Sequence, residues 1–167
     1  MLHKLDRKIA SQLCLVSDHT WLLMMILLAT ALRLLHLGKQ SLWIDEAWSF
    51  AVAVVPLKIS LENILATGNH APLYFLMLRS VSLIGGGETI LRFPSVVFAV
   101  LSIPMIYQVG RLGLGRPAGL LGAFFLALNP FHLWYSQEAR MYTMVVFFVL
   151  GSIYFFLRAI RENTMTW

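Results

Sequence analysis

The sequence predicts an all-α integral membrane protein with about four transmembrane helices and juxtamembrane amphipathic helices in a long first outer loop. Hydrophobic residues make up 59% of the 167 residues and charged residues 13%, against roughly 45–50% and about 25% in an ordinary soluble domain. The mean hydropathy is +0.75, and the apolar excess lies in runs of about 17 residues. A soluble core of this length cannot bury so many apolar side chains, so we expect lipid to surround most of them.

Four apolar runs are long enough to cross a bilayer or nearly so. A helix of 17 residues reaches about 26 Å, and flanking aromatic or arginine side chains cover the remaining distance. A fifth run, 71–84, has 14 residues and contains Arg79, and runs this short are more typical of interfacial or re-entrant segments. The predicted spans are 21–37, 93–109, 118–135 and 141–157.

The distribution of Lys and Arg favours four spans and sets the orientation. With a cytoplasmic N-terminus, seven of these residues lie on the inner side and five on the outer side, where five carboxylates balance them. Basic residues concentrate in cytoplasmic loops, whereas five spans would reverse this bias. We therefore predict a multi-pass protein of the plasma (inner) membrane, with a cytoplasmic tail over 1–19, a membrane module over 20–160, an outer loop over 38–91 and a second tail over 161–167.

The outer loop is expected to contain helices of its own. Ser41 is a candidate N-cap for a helix that begins near Leu42, with two carboxylates in the first turns, where they suit the helix dipole. Pro56 is expected to start a second helix, whose apolar face would lie on the membrane surface. A third apolar segment begins at 70–72 and ends at the glycines 85–87.

The predicted topology brings a set of polar side chains to the outer membrane boundary. Ionisable groups at this depth are costly and are therefore candidates for function. Tyr74 and Tyr142 are candidates for contacts with sugar or lipid, or else members of the aromatic belt found at membrane interfaces. The polar set consists of Asp45, Glu46, His70, Arg92, Gln137, Glu138 and Arg140.

Four short motifs follow one another along the chain: Leu-Trp-Ile-Asp-Glu-Ala at 42–47, Asn-His-Ala-Pro-Leu-Tyr at 69–74, Leu-Arg-Phe-Pro-Ser at 91–95 and Tyr-Ser-Gln-Glu-Ala-Arg-Met-Tyr at 135–142. In this order they resemble the N-terminal part of GT-C glycosyltransferases, in particular the bacterial protein O-mannosyltransferase-like and lipid A aminoarabinose transferase-like enzymes. The resemblance covers residues 20–160. It implies an Asp-Glu pair in the first outer loop and sugar transfer from a polyprenyl-phosphate donor.

Sugar transfer requires a base near the acceptor nucleophile, and a carboxylate at the boundary between water and lipid suits that role. Asp45 is the candidate general base of an inverting displacement with an oxocarbenium-like transition state. Glu46 lies about 100° away from Asp45 on a helix, so it would orient an arginine or a metal ion instead. The alternative is that the two carboxylates only cap a helix.

The departing phosphate requires fixed cations, and arginine offers a planar, permanently charged fork of donors. Arg92 and Arg140 are candidates for this role, or else they are anchors at the membrane interface. Gln137 and Glu138 would orient an arginine or contact the substrate. His70 would hydrogen-bond the phosphate or the acceptor, or only begin a helix. A Mg²⁺ or Mn²⁺ ion on Asp45 and Glu46 would need further ligands.

The sequence therefore predicts a membrane glycosyltransferase module that transfers a hexosyl or pentosyl unit to a lipid, glycan or protein acceptor at the outer face. One alternative is a truncated four-span protein without turnover, because the chain ends soon after its fourth apolar run. Another is a small transporter subunit, although no charge lies at the midpoint of a predicted span. Nucleic-acid binding is not expected, because the basic residues are dispersed and do not alternate with aromatic ones.

Overall fold

A computed structural model describes residues 2–67 and 72–162, and side chains over 18–66 and 72–162. Within these residues the regular structure is entirely helical, as predicted. The longest connection between consecutive helices in this part of the chain is residues 35–43. The helices are α1 Leu2–Leu34, α2 Ile44–Val54, α3 Leu57–Thr67, α4 Pro72–Ser82, α5 Glu88–Gly113, α6 Arg116–Leu128, α7 Pro130–Ser136 and α8 Tyr142–Arg161.

In the described part of the chain, two helices are long and apolar enough to cross a membrane: α5, with 26 residues, and α8, with 20. The helix α5 contains the predicted span 93–109, and α8 covers the predicted span 141–157 except for its first residue. The first predicted span, 21–37, extends three residues too far, because α1 ends at Leu34 and a turn follows. The total of four spans stays a prediction.

The third predicted span, 118–135, is interrupted. Pro130 has no N–H and disfavours helical backbone angles in the residue before it, and Asn129 is accordingly extended (φ −60°, ψ 119°). The Asn129 side chain accepts a hydrogen bond from the backbone N–H of His132 and so caps α7. The remaining helix α6 has 13 residues and measures about 20 Å, less than the hydrocarbon thickness of about 30 Å.

The carbonyl groups at the end of α6 are bound by an arginine of α1. Arg33 is fully buried, and its guanidinium donates to the carbonyl oxygens of Leu126 (3.3 Å) and Ala127 (3.2 Å). It also donates to Nδ1 of His132, 2.9 Å away. Arginine has no acceptor, so His132 carries its proton on Nε2. Arg33 thus joins α1, α6 and α7 at the point where the apolar run breaks.

The outer segment folds into three 11-residue helices, α2, α3 and α4. The predicted start of α2 at Leu42 with Ser41 as its cap is wrong, because the helix begins at Ile44 after the N-cap residue Trp43. The helix α3 follows Pro56 as predicted, and Ile64, which is 2% exposed, is its one apolar side chain in the core. The other apolar side chains of α3 are exposed in the isolated chain, as expected for a helix on a membrane surface.

Arg79 connects two of these helices. Its guanidinium donates to the carbonyl oxygens of Ala53 (2.9 Å) and Val55 (2.5 Å) at the end of α2. A cation at a helix C-terminus also interacts favourably with the helix dipole. The charge inside the apolar run 71–84 therefore holds α4 against α2. With 11 residues, α4 is too short to span a bilayer, in agreement with an interfacial position.

The backbones of α5 and α6 approach each other closely at two glycines, Gly110 and Gly119. A Cβ atom added to Gly119 would lie 2.5 Å from the carbonyl oxygen of Tyr107, and one added to Gly110 would lie 2.7 Å from Cα of Gly119. Beside this contact, a buried cluster that includes Ile103 and Ala123 joins α1, α5 and α6. A second cluster at the other end joins α2, α4, α5 and α8, and the candidate site lies next to it.

Candidate functional site

The centre of the site is a buried ion pair between α2 and α5. Arg92 Nε lies 2.9 Å from Oε1 of Glu46, and Arg92 Nη2 lies 2.7 Å from Oε2. The two residues are 2% and 1% exposed. This bidentate geometry matches the planar guanidinium to the planar carboxylate and is stronger than a single hydrogen bond. The pair fixes the first turn of α2 against the first turns of α5.

The remaining donors of Arg92 bind the connection between α1 and α2. They lie 2.8 Å, 3.0 Å and 3.3 Å from the carbonyl oxygens of Leu37, Gln40 and Ser41. A guanidinium has five N–H groups, so every one of them has an acceptor. Arg92 therefore has no donor free for a phosphate in this arrangement.

Glu46 is equally engaged. Its Oε1 accepts the backbone N–H of Ala139 (2.6 Å), and its Oε2 accepts that of Trp43 (3.1 Å). Burial opposes ionisation, but the hydrogen bonds from Arg92, Ala139 and Trp43 and the charge of Arg92 outweigh it and lower the pKa of Glu46. An ionised Glu46 thus joins α2, α5 and the connection between α7 and α8.

Asp45, the neighbouring residue, presents its side chain to the solvent. Within the described residues its carboxylate forms no hydrogen bond and no ion pair. Arg140 lies beside it: the guanidinium is 3.4 Å from the carbonyl oxygen of Asp45 and 3.3 Å from Oγ of Ser49. The site therefore combines an unengaged carboxylate with an adjacent cation that has no carboxylate partner among the described residues.

The two tyrosines predicted to contact substrate lie in different environments. Tyr142 is 37% exposed, and its ring lies 5.7 Å from the Arg140 guanidinium and 4.7 Å from the Tyr135 ring. Tyr74 is 1% exposed, and its hydroxyl donates to Oγ of Ser95 (2.9 Å), which donates to the carbonyl oxygen of Arg140 (2.9 Å). Burial raises the pKa of Tyr74. Tyr74 thus holds the backbone of Arg140 in place through Ser95. Tyr142, in contrast, remains accessible to a ligand.

Gln137 and Glu138 occupy the connection between α7 and α8. The Gln137 amide donates to the carbonyl oxygens of Leu32, Arg33 and Leu35 at the end of α1, at 3.3, 3.2 and 2.9 Å. Glu138 accepts a hydrogen bond from Nε1 of Trp134 (2.8 Å). Burial and the charges of Glu46 and Asp45 raise the pKa of Glu138 against the effects of Trp134 and Arg140.

A cleft of about 380 Å³ opens between the end of α1, the start of α2 and α7. Its walls combine two tryptophans, two cations and a carboxylate, a mixture that suits a polar ligand with an apolar face. The rings of Trp43 and Trp134 meet edge to face with centroids 6.0 Å apart. The cleft is lined by His36, Leu37, Lys39, Gln40, Trp43, Arg92, Trp134, Gln137 and Glu138.

Sequence reasoning missed the two tryptophans and Lys39 of this cleft. Trp43 and Trp134 stand inside or beside two of the motifs, so aromatic residues next to charged ones were the available signal. Lys39 carried no such signal, since a lone lysine in a loop is ordinary. His70 lies outside the described residues, so its predicted role stays a prediction.

The residues described here do not fit the predicted option of a divalent cation on Asp45 and Glu46. Both oxygens of Glu46 accept two hydrogen bonds each, and in the described residues no group of three His, Cys, Asp or Glu side chains stands ready to hold a metal ion. Asp45 alone offers too few ligands for Mg²⁺ or Mn²⁺. The reaction proposed below therefore contains no step on a metal ion.

The family model described as dolichyl-phosphate-mannose-protein mannosyltransferase matches residues 69–167. No curated protein and no solved structure matches the chain. The matched residues contain α4 to α8, and Asp45 and Glu46 precede them. This family consists of membrane-embedded glycosyltransferases of the GT-C type. Because the match covers more than half of the sequence, the chain belongs to the dolichyl-phosphate-mannose-protein mannosyltransferase family.

Proposed function

We propose that this chain transfers a sugar from a polyprenyl-phosphate-linked donor to a lipid, glycan or protein acceptor at the outer face of the membrane. The family description points to mannose as the sugar. The observation that carries the proposal is the exposed, unengaged carboxylate of Asp45 beside Arg140, held on a helix that the Glu46–Arg92 pair fixes in place.

Asp45 is proposed as the general base. Its carboxylate takes the proton from the acceptor nucleophile as the nucleophile bonds to the anomeric carbon. The bond between that carbon and the phosphate oxygen breaks in the same step, and polyprenyl phosphate departs with the electron pair. Attack from the face opposite the leaving group inverts the anomeric centre.

Arg140 is proposed to stabilise the departing phosphate. Its guanidinium lies at the Asp45 end of α2, and its hydrogen bonds to described residues are to a carbonyl oxygen and a hydroxyl oxygen at 3.3–3.4 Å. Such long, neutral contacts leave its charge available to an anion. Glu46 and Arg92 are proposed to position these groups and not to contact the substrate. Their donors and acceptors are already engaged with each other and with the backbone.

The cleft lined by Trp43 and Trp134 is proposed to receive the polar end of a substrate. Glu138 lies at its edge, and the raised pKa of this carboxyl group makes a neutral, proton-donating form accessible nearer to physiological pH than an ordinary glutamate allows. A carboxyl group of this kind donates and accepts hydrogen bonds, which suits the hydroxyl groups of a sugar.

The proposal is tested with membranes that contain the 167-residue chain and a labelled polyprenyl-phosphate mannose. Transfer to the membrane acceptor fraction is measured for the wild type, for Asp45→Asn and for Glu62→Gln, a matched loss of charge on the exposed side of α3. We expect Asp45→Asn to lose about 10²- to 10⁴-fold in rate, and Glu62→Gln to equal the wild type. Because the Asp45 carboxylate has no described partner, the unfolding temperature of Asp45→Asn should match that of the wild type. Equal transfer by Asp45→Asn and wild type, or no transfer by the wild type, contradicts the proposal.

A further inference from the structure

A second polar cleft lies at the opposite end of the bundle from the candidate site. Arg92 and Arg111 belong to the same helix, α5, and 19 residues separate them, which is about 28 Å along the helix axis. This distance is close to the hydrocarbon thickness of a bilayer, about 30 Å. A group at Arg111 therefore faces the other leaflet when the candidate site lies at one membrane surface.

Four arginines from three helices surround this cleft. Arg111 comes from the last turn of α5, Arg116 from the first residue of α6, and Arg158 and Arg161 from the last turns of α8. Gln108, Leu112, Tyr154 and the carboxylate of Glu162 also line it. The cleft has a volume of about 460 Å³. This volume lies in the range of about 300–1,000 Å³ that is usual for ligand pockets. The cleft therefore has room for a phosphate group together with the alcohol esterified to it.

Two of the four arginines have carboxylate partners. Arg116 forms an ion pair with Asp18, and Arg158 Nε lies 2.7 Å from Oε1 of Glu162. The side chains of Arg111 and Arg161 are exposed and form no ion pair and no hydrogen bond with another part of the chain that the structure describes. Among the described residues, two positive charges of this cleft, those of Arg111 and Arg161, therefore have no carboxylate partner.

The bias of basic residues toward cytoplasmic loops explains why arginines occur at this end, but it does not require them to share one concave site. Here three helix ends that are distant in sequence direct four guanidinium groups to the same cleft. Guanidinium groups so close together repel one another unless an anion lies between them. Basic pockets between helices on the cytoplasmic side of a membrane are suited to anionic lipid head groups.

We propose that this cleft binds the phosphate of an anionic phospholipid head group from the inner leaflet. The phosphate lies between Arg111 and Arg161, which are free to form charge-assisted hydrogen bonds with its oxygens. The acyl chains extend along the lipid-facing surface of α8, where Phe156 and Ile160 are 58% and 52% exposed. The site is separate from the sugar-transfer site, and its occupancy does not depend on turnover.

The test measures lipid binding by the purified chain in detergent. The wild type is titrated with dioleoyl phosphatidylglycerol and with dioleoyl phosphatidylcholine, and the bound lipid is counted by native mass spectrometry. The variant R111Q/R161Q removes the two uncompensated charges. The control K58Q removes one exposed charge of α3 at the opposite end of the molecule, away from both clefts. At about 1 kcal/mol for each basic residue, R111Q/R161Q should bind phosphatidylglycerol about 30-fold more weakly, and K58Q should bind it like the wild type.

Several outcomes overturn the proposal. These are wild-type affinity in R111Q/R161Q, an equal loss in R111Q/R161Q and in the control K58Q, or equal binding of the two lipids by the wild type. A third arm adds inorganic phosphate to the wild type: complete displacement of phosphatidylglycerol at low millimolar phosphate identifies a site for free anions and refutes the lipid. If R111Q/R161Q does not elute as a monodisperse species, the single variant R161Q replaces it, with an expected loss of about fivefold.

Discussion

At the scale of single residues, the site is organised by Arg92. This side chain joins the end of α1, the start of α2 and the start of α5 through five hydrogen bonds, and Glu46 extends the network to the backbone of Ala139. Two groups that look like catalytic candidates in the sequence thus act on each other. The neighbouring positions, Asp45 and Arg140, are held in place by this network and remain accessible to a ligand.

We expect Glu46→Gln to destabilise the protein strongly. The amide leaves the Arg92 charge buried without a counterion, and breaking a buried pair in this way costs about 3–5 kcal/mol. The exposed Glu62→Gln should change the free energy of unfolding by less than about 0.5 kcal/mol. Both values are measured by equilibrium unfolding in mixed micelles. Equal stability of Glu46→Gln and the wild type would show that the pair does not hold α2 in place.

The lowered pKa of Glu46 also predicts that the stability of the fold depends on pH. The pKa of Glu46 lies below its usual value of 4.5 in the folded protein, so the ionised form stabilises the fold. That contribution is fully present above about pH 4.5 and is lost as the pH falls through the lower, folded-state pKa. Between pH 6 and pH 3 the wild type should therefore lose stability relative to Glu46→Gln. Parallel pH profiles for the two proteins would refute the shift.

Part of the site could be predicted from the sequence. The carboxylate pair and its position in the first turn of α2 follow from local patterns, and so does the expectation that Glu46 orients an arginine or a metal ion. The identity of that arginine does not, because Glu46 and Arg92 are 46 positions apart and nothing local relates them. The three carbonyl acceptors of Arg92 were equally hidden, since every residue has a carbonyl group and only the folded backbone selects which ones meet.

At the scale of helices, apolar length predicted α5 and α8 well, because a long helix between charged residues has few alternatives in lipid. It failed for the run 118–135, although the signal for the break was present in Asn129 and Pro130. A prediction from hydrophobicity alone treats the run as one helix. It ignores that Pro130 disfavours the helical conformation at the residue before it. The break exposes the carbonyl groups that Arg33 binds, so the interruption also determines how α1 packs.

The contact between α5 and α6 gives a prediction at the same scale. Gly119→Ala places a methyl group 2.5 Å from the carbonyl oxygen of Tyr107, and overpacking of this kind costs about 1–3 kcal/mol. This cost exceeds the gain of about 0.5–1 kcal/mol that alanine brings to a helix. The unfolding temperature in detergent should therefore fall.

Gly151→Ala is the matched control for that substitution. Gly151 is also buried in a helix, α8, but an added Cβ meets no atom within 4 Å in the described structure. Alanine should leave the unfolding temperature unchanged or raise it slightly, because only the gain in helix propensity remains. A similar fall in both variants would mean that helical glycine itself, and not the close contact, matters in this bundle.

At the scale of the whole molecule, polar groups are separated toward two ends. The candidate site, with the α2–α4 segment around it, lies at the Glu88 end of α5, and the arginine cleft lies at the Gly113 end. The apolar surface between them includes exposed phenylalanines of α6 and α8, among them Phe125 (66%) and Phe155 (66%). An exposed aromatic surface of this kind is a liability in water but is expected in lipid, so the arrangement fits the membrane-embedded family to which the chain belongs.

The orientation of this molecule in the membrane is the last prediction. We expect the candidate site outside and the arginine cleft inside, because Arg111 and Arg116 flank the α5–α6 connection and no acidic residue lies between them. In a C14S background, Ser41→Cys reports the α1–α2 connection, and Leu114→Cys, which replaces a residue that is 86% exposed, reports the α5–α6 connection. A membrane-impermeant maleimide should label Ser41→Cys in right-side-out vesicles and Leu114→Cys in inverted vesicles. Labelling of both from one side would show that α5 does not cross the membrane, and the opposite pattern would place the sugar-transfer site on the cytoplasmic face. Only the expected pattern gives Asp45 access to an acceptor outside the cell while Arg111 and Arg161 meet the anionic inner leaflet.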